Sequence, residues 1–372
     1  MLKKTALALA VSTLFVGAAA QAATIYDNNN GDTLKLYGEV GVGGHFGPNY
    51  EYGEFYQSPI ADNEQGYGNE LERSYIDDSF ATLGVKGNYQ EVYYRLELDY
   101  ERENWVGGSG DMVLSIDKMF VGYNITENHA IEVGITDTAF DDYDKHGDLT
   151  FDSTVETGEA GDQANTIKYE GKIWNIKLGT SYSYQAESSS GAPLGDVVNG
   201  YIGYFGNIVS AVVGVEQRAG SNGESKYGEQ QLVGFGMRVN VTDAITLGVN
   251  GYIEDEDKAQ ESTTVINNSS NINDDVKIYN DYQTLRNKGA LVSASYKFTP
   301  KWELTGSYNY EEYEKWAIKN IEYDTTPYSW GDERTWSTVG VNFRPSSSVI
   351  FAIEGNFGEA AQDAYAYARV YF

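Results

Sequence analysis

The chain has 372 residues, a formal charge of −29, no cysteine, 41 glycines, 31 tyrosines and only 6 prolines. The acid excess excludes the basic patch that a nucleic-acid partner needs, and the missing cysteines exclude a disulfide framework. A mean hydropathy of −0.46 beside 14% aromatic residues does not suit an ordinary soluble core, but it suits a wall one residue thick, apolar outside and wet inside.

Residues 1–22 have the three parts of a secretory signal. Lys3 and Lys4 form the charged start, Thr5 to Ala20 is an apolar run, and Ala20-Gln21-Ala22 is an A-x-A cleavage site. The run is too short to span a bilayer, and nothing after it approaches the length of a spanning helix. A mature chain starting at Ala23 is expected, with residues 23–372 as one domain.

From Leu34 onward the apolar residues recur with period two rather than 3.6. Strands are expected over Leu34 to Phe46, Val92 to Tyr100, Trp174 to Tyr184, Val209 to Gln217, Ile245 to Ile253, Ala290 to Phe298, Trp302 to Tyr310, Thr335 to Phe343 and Val349 to Phe357. In Val92 to Tyr100 one face is Val, Tyr, Leu, Leu, Tyr and the other is Tyr, Arg, Glu, Asp. An aqueous lumen tolerates the second face, whereas a packed core would not. Phe80 to Gly87, Met112 to Tyr123 and Ile131 to Ile135 alternate less cleanly but are needed by an up-and-down order. The last strand, Ala364 to Phe372, alternates without a break to an aromatic end.

Short connections are expected at Tyr89-Gln90, Asn124 to His129, Glu170 to Lys172, Gly206-Asn207, Val241 to Ala244, Thr299 to Lys301 and Pro345 to Ser348. Longer loops lie between them, including Gly47 to Asp78, Thr138 to Asp162, Asp255 to Asn287 and Glu312 to Glu333. Seven turns and eight loops join sixteen strands. The expectation is all-β: a 16-stranded antiparallel transmembrane β-barrel with short periplasmic turns and long external loops. Tyr89, Tyr169, Trp174, Phe298, Trp302 and Phe343 crowd the short turns, as an interfacial girdle does.

No catalytic chemistry is visible. His45, His129 and His146 have no metal spacing and no partner pattern for nucleophilic catalysis. Gly107 to Gly110 and Asn267 to Asn271 read as loop tips. Asp141, Asp142 and Asp144 form a weak candidate for calcium or magnesium without the spacing of a dedicated calcium loop. No enzyme activity and no cofactor are expected.

Leu36-Tyr37-Gly38-Glu39 and Phe80-Ala81-Thr82-Leu83-Gly84-Val85-Lys86-Gly87 resemble the first two strands of the trimeric general porins of Gram-negative outer membranes. Those carry L-Y-G-K and A-R-L-G-F-K-G there. The start at Ala23-Thr24-Ile25-Tyr26-Asp27 and the terminal Phe372 are similar too. The resemblance implies a homotrimer in outer-membrane lipid and lipopolysaccharide. It also implies handling by the barrel-assembly machinery through the strand ending at Phe372, and a third loop, here Thr138 to Asp162, folded into the lumen. That loop carries Asp141, Asp142, Asp144, Asp148, Asp152, Glu156, Glu159 and Asp162, although the P-E-F-G-G stretch of the family is absent.

The basic wall that faces this loop in the family departs more sharply. Glu39 stands at the basic position after L-Y-G, and Thr82 at the arginine before L-G. Asp117 stands at a third basic position, and Asp162, by a gapped registration, at a fourth. The constriction is therefore expected to carry one sign and to favour cations, although Lys35, Lys86, Arg95, Arg218, Arg334, Arg344 and Arg369 remain as lumen bases. The leading function is a passive, cation-preferring channel for ions and small hydrophilic solutes. One alternative is an oligosaccharide-specific channel using inward Tyr37, Tyr93, Tyr252, Trp336, Tyr365, Tyr367 and Tyr371. Another is a receptor or adhesion barrel using the large external loops. The outward face Ala364, Ala366, Ala368, Val370 and Phe372 is small for a lipid-facing surface and, with Gly38 on the first strand, is expected to pack against neighbouring subunits.

Overall fold

The computed structural model describes residues 22–28, 31–49, 51–52, 69–70, 75–104, 109–151, 155, 159–187, 193–220, 229–260, 264–267, 275–321, 324–358 and 362–372. Residues 1–21 of the expected signal, Asp152 and Glu156 of the third loop, and the loop tips at 107–108 and 268–271 lie outside them. Sixteen strands form the wall. Before the third loop come β1 (Thr33–Asn49), β2 (Phe80–Tyr89), β3 (Val92–Asn104), β4 (Ser109–Thr126) and β5 (His129–Asp137). After it come β6 (Asp162–Ile173), β7 (Ile176–Glu187), β8 (Pro193–Phe205), β9 (Val209–Arg218), β10 (Gln230–Asn240) and β11 (Ile245–Gln260). The wall is completed by β12 (Asp275–Thr299), β13 (Trp302–Ile321), β14 (Asp324–Ser346), β15 (Val349–Gly358) and β16 (Gln362–Tyr371). Each pairs antiparallel with the next, and β1 pairs with β16 from Glu39↔Tyr371 to Asn49↔Gln362, which closes the barrel.

The period of two explains which side is which. Asn199, Glu216, Asn250, Ser293, Asn309, Thr338 and Asn356 are buried inside the barrel, while Ile202, Val213, Val233, Leu247, Val292, Val339 and Ile353 are exposed outside. That inversion of a soluble protein fits lipid outside and polar groups within. The rings of Phe298, Trp302, Phe343 and Phe351 follow one another at 6.3, 4.5 and 6.3 Å near the short turns, an outward belt where a membrane surface lies.

Two expectations are corrected. Glu170 to Lys172 is not a turn: β6 runs on to Ile173, and the turn is Trp174-Asn175, with Trp174 at φ +54°. A polar run inside a barrel strand need not break it, because inward polar groups find partners; Tyr201 Oη donates to Glu170 Oε2 at 2.5 Å. The second correction concerns length. Much of Asp255 to Asn287 and Glu312 to Glu333 is strand, because β11 continues to Gln260, β12 starts at Asp275, β13 ends at Ile321 and β14 starts at Asp324. Beyond the membrane the ladder still satisfies the backbone, but no lipid enforces apolar alternation.

The weakly alternating segments are strands after all, and β4 shows why they read poorly. Glu97 pairs with Lys118 and Leu98 with Ile116, so Asp117 is the extra residue of a β-bulge. At the seam, Ala23–Asp27 pairs with Leu36 to Thr33 of β1 and continues the line of β16. Gly38 and Phe372 exchange two backbone hydrogen bonds of 2.9 Å. A Cβ on Gly38 would stand 2.3 Å from the Thr82 carbonyl and 2.7 Å from the Phe372 ring, so this close approach requires glycine.

Candidate functional site

Between β5 and β6 the third loop lies against the inward side chains of the barrel. The Thr138 N–H donates to the Gly161 carbonyl at 3.1 Å and draws the two ends of the loop together. Ala139 N–H donates to Ser181 Oγ at 3.0 Å and Phe140 N–H to Asn199 Oδ1 at 2.5 Å. Phe140 is wholly buried with Ala139, Tyr201, Val212 and Leu232. Its ring covers Gly214 of β9, where a Cβ would meet it at 2.0 Å. Farther on, Gly147 donates to Asn250 Oδ1 at 3.2 Å and accepts from Ser293 Oγ at 2.8 Å. Asn250 also donates to the Asp144 carbonyl at 2.8 Å. A Cβ on Gly147 would lie 1.7 Å from the Val249 carbonyl oxygen, and one on Gly248 would lie 2.0 Å from the Gly147 oxygen.

Phe151 then reaches the seam. Its N–H donates to Glu354 Oε1 at 2.6 Å, and its ring lies 5.5 Å from that of Tyr367. Val155 is buried against Tyr252, Leu291 and Trp336, and Ala160 N–H donates to Glu216 Oε2 at 3.1 Å on the way back. Buried loop backbone is costly unless it is hydrogen-bonded. Here lumen polar groups of β7, β8, β9, β11 and β15 accept from it.

The wall from β1 to β6 is different. Glu39, Thr82 and Asp99 stand side by side on β1, β2 and β3. Thr82 Oγ1 donates to Asp99 Oδ1 at 2.6 Å. The β4 bulge brings Asp117 to this row, and the carboxylates of Glu97, Asp99 and Asp117 lie within 4.8 Å of one another. Those of Asp137, Asp141 and Asp162 do the same. Asp162 is the first residue of β6 rather than part of the loop.

Three bases stand among these acids, which corrects the expectation of a single sign. Lys118 pairs with Asp137 and Asp162 and lies 3.6 Å from Asp117. Arg369 lies 3.9 Å from Glu39 and is held by the rings of Phe80 and Tyr367, at 5.0 and 5.1 Å. Arg95 is tied to Glu97 at 2.7 Å and to Tyr37 Oη at 2.6 Å. Each base is therefore matched by at least one carboxylate, and acids remain in excess. Lys118 was missed because its signal, a charge next to a charge, is a bulge and not an alternation.

The Asp141, Asp142 and Asp144 candidate for a divalent cation is not assembled. Asp141 groups with Asp137 and Asp162 instead, and Asp144 is buried. Asp141 to Tyr143 form a single 3₁₀ turn, in which consecutive side chains diverge by about a third of a turn. Burial, with the charges of Glu159 and Asp137 nearby, pushes the Asp141 carboxyl up to about 8. Burial, with Arg238 and Lys177 nearby, pushes His146 down to about 4.

A family model described as Gram-negative porin matches residues 5–360. The chain belongs to this porin family. The porin also shares its fold with solved structures. OmpT of Vibrio cholerae lacking loop L8, an outer membrane protein, is 15% identical with a TM-score of 0.61, covering 92% of this chain and 100% of its own. Salmonella typhi OmpF in complex with daunomycin is 13% identical with a TM-score of 0.58, covering 94% and 99%. An anion-selective porin from Comamonas acidovorans is 12% identical with a TM-score of 0.52, covering 92% and 100%. No curated sequence matches the chain. Family and fold together make it a multi-pass β-barrel channel of the outer membrane.

Proposed function

We propose that this porin is a passive, cation-preferring diffusion channel for ions and small hydrophilic solutes, and not an enzyme. The observation that carries the reading is the meeting of wall and loop acids. Glu39, Glu97, Asp99 and Asp117 line the open wall, and Asp141 stands on the loop beside Asp137 and Asp162, with Asp142 near Asp137. An excess of acid over base in a narrow, low-dielectric passage raises the local concentration of cations. The fold does not set the sign, since the Comamonas acidovorans porin described as anion-selective shares it. The test is a reversal potential under a KCl gradient across a planar bilayer. A potential set by potassium supports the reading, one set by chloride overturns the charge argument, and absence of conductance overturns the channel.

The oligosaccharide alternative is disfavoured by where the inward rings lie. Tyr252 and Trp336 are covered by Val155 of the loop, and Tyr93 Oη is 3.1 Å from Glu132. They are spent on packing and hydrogen bonds. We also read residues 1–22 as removed on export, and the working unit as a homotrimer. The small outward residues Ala366 and Ala368, opposite Gly44 and Val42 of β1, support a close subunit contact, whereas Gly38 is buried under the Phe372 ring and takes no part in that face. Ala366→Leu with Ala368→Leu is expected to abolish an SDS-resistant trimer; an undiminished trimer would exclude that face.

A further inference from the structure

Below the acid row, on the same three strands, the lumen carries a row of bases. Lys35 of β1 pairs with Lys86 of β2, and Lys86 pairs with Arg95 of β3. Like charges directly opposite on neighbouring strands destabilise a sheet. The chain has 55 acids to supply counter-charges, yet no described carboxylate lies within ion-pair distance of either lysine. Lys86 Nζ stands 4.5 Å over the Tyr37 ring. Arg95 turns its Nε and Nη2 to Tyr37 and Glu97, and Nη1 donates to no described group.

These bases line a cavity of about 210 Å³, together with Asn88, Tyr93 and Phe120. Tyr93 and Phe120 meet edge to face at 6.1 Å and close one flank. Thr33 and Asn88, at the turn ends of β1 and β2, also line it, so it lies at the periplasmic end of the lumen. Glu39 is four residues farther along β1 than Lys35, about 13 Å at the usual strand rise. The wall therefore changes sign along the pore axis, from acid at the constriction to base beneath it.

We propose that this cavity is an anion site, holding a small dianionic oxyanion, phosphate or dicarboxylate, on Lys35, Lys86 and Arg95. The proposal rests on the channel reading and adds a ligand class to it. Two lysines without a carboxylate partner and Nη1 of Arg95, whose Nε and Nη2 serve Tyr37 and Glu97, converge from adjacent strands on the several oxygens of such a group. The volume admits a small ion and not a drug-sized solute. The acid row above repels the anion, so the site fills from the periplasmic side.

The test is current through the full-length barrel in a bilayer in dilute KCl at pH 8, with potassium phosphate or potassium succinate added to either side. Block from one side only is expected. Lys35→Gln with Lys86→Gln is expected to weaken it by about tenfold, equivalent to about 1.4 kcal/mol, and to raise the potassium preference. Lys35→Arg with Lys86→Arg, which keeps the charges, is expected to retain it, as is Lys301→Gln in the turn between β12 and β13. Block by phosphate alone or by succinate alone would identify which oxyanion fits. A conducting channel without block, block equal from both sides, or block unchanged in the double glutamine variant would overturn the site alone. Absence of conductance would overturn the channel reading and the site with it.

Discussion

The two parts of the lumen wall obey the same alternation but meet different neighbours. From β7 to β14 the inward side chains meet protein. Asn199, Asn250, Ser181 and Ser293 hydrogen-bond the loop backbone, and glycines at 214 and 248 leave room for it. From β1 to β4 the inward side chains meet water and one another, in rows of charge. One period-two pattern thus encodes both a docking floor and a field. What separates them is residue type at the inward positions: small and amide-bearing where a loop must lie flat, ionised where solutes pass.

This contrast is open to direct attack. The largest effect is expected from Gly147→Val, whose Cβ would collide with the Val249 carbonyl. Overpacking costs about 1–3 kcal/mol, and the loop should leave the wall while the barrel persists. Single-channel conductance should rise and cation preference should fall. An unchanged conductance would mean that the floor does not hold the loop.

Next comes Glu39→Lys with Asp117→Arg, which restores bases to the open wall and should move the reversal potential toward chloride while the loop stays in place. If the preference stayed with potassium, the acids of this wall would not be the filter. Asn250→Ala should have a smaller effect. It deletes the acceptor of the Gly147 N–H and the donor to the Asp144 carbonyl, at about 1–3 kcal/mol for buried groups left unpaired. The expected readout is more current noise at constant mean conductance; a silent baseline would show that other anchors suffice.

The smallest effect concerns pH. With its pKa raised to about 8, Asp141 is mostly neutral at pH 6 and ionised at pH 9. Raising the pH between these values should add one negative charge at the loop and increase potassium preference. Asp141→Asn should flatten that step, and a step of equal size in the variant would assign it to another group.

The wall was legible in the sequence because lipid on one side and water on the other enforce a simple rule at every second residue. Where the rule lapses, legibility lapses. Above the membrane, β13 and β14 continue through Glu312 to Ile321 and Asp324 to Glu333 with no apolar face to announce them. The β4 bulge shifts the phase at Asp117, so this strand was counted from topology and its neighbour Lys118 was not placed in the site. Glu39, Thr82 and Asp117 were found by analogy of position, and the pairing register sets Glu39 and Thr82 side by side. The third-loop path was out of reach, since it depends on contacts such as Phe140 on Gly214 and Phe151 on Tyr367, each between residues remote in sequence. The partners of Arg369 were hidden for the same reason.

The seam has one more consequence. Ala23 lies opposite Leu36 and Phe372 opposite Gly38, so only the width of one β1 residue, Tyr37, parts the two ends of the strand line. With residues 1–22 removed, as proposed above, the wall from Ala23 to Phe372 would be a ring of chain with a single nick. A one-residue splice from Phe372 to Ala23 would seal it, and new ends could then be opened in an external loop, as circular permutation exploits when termini are adjacent.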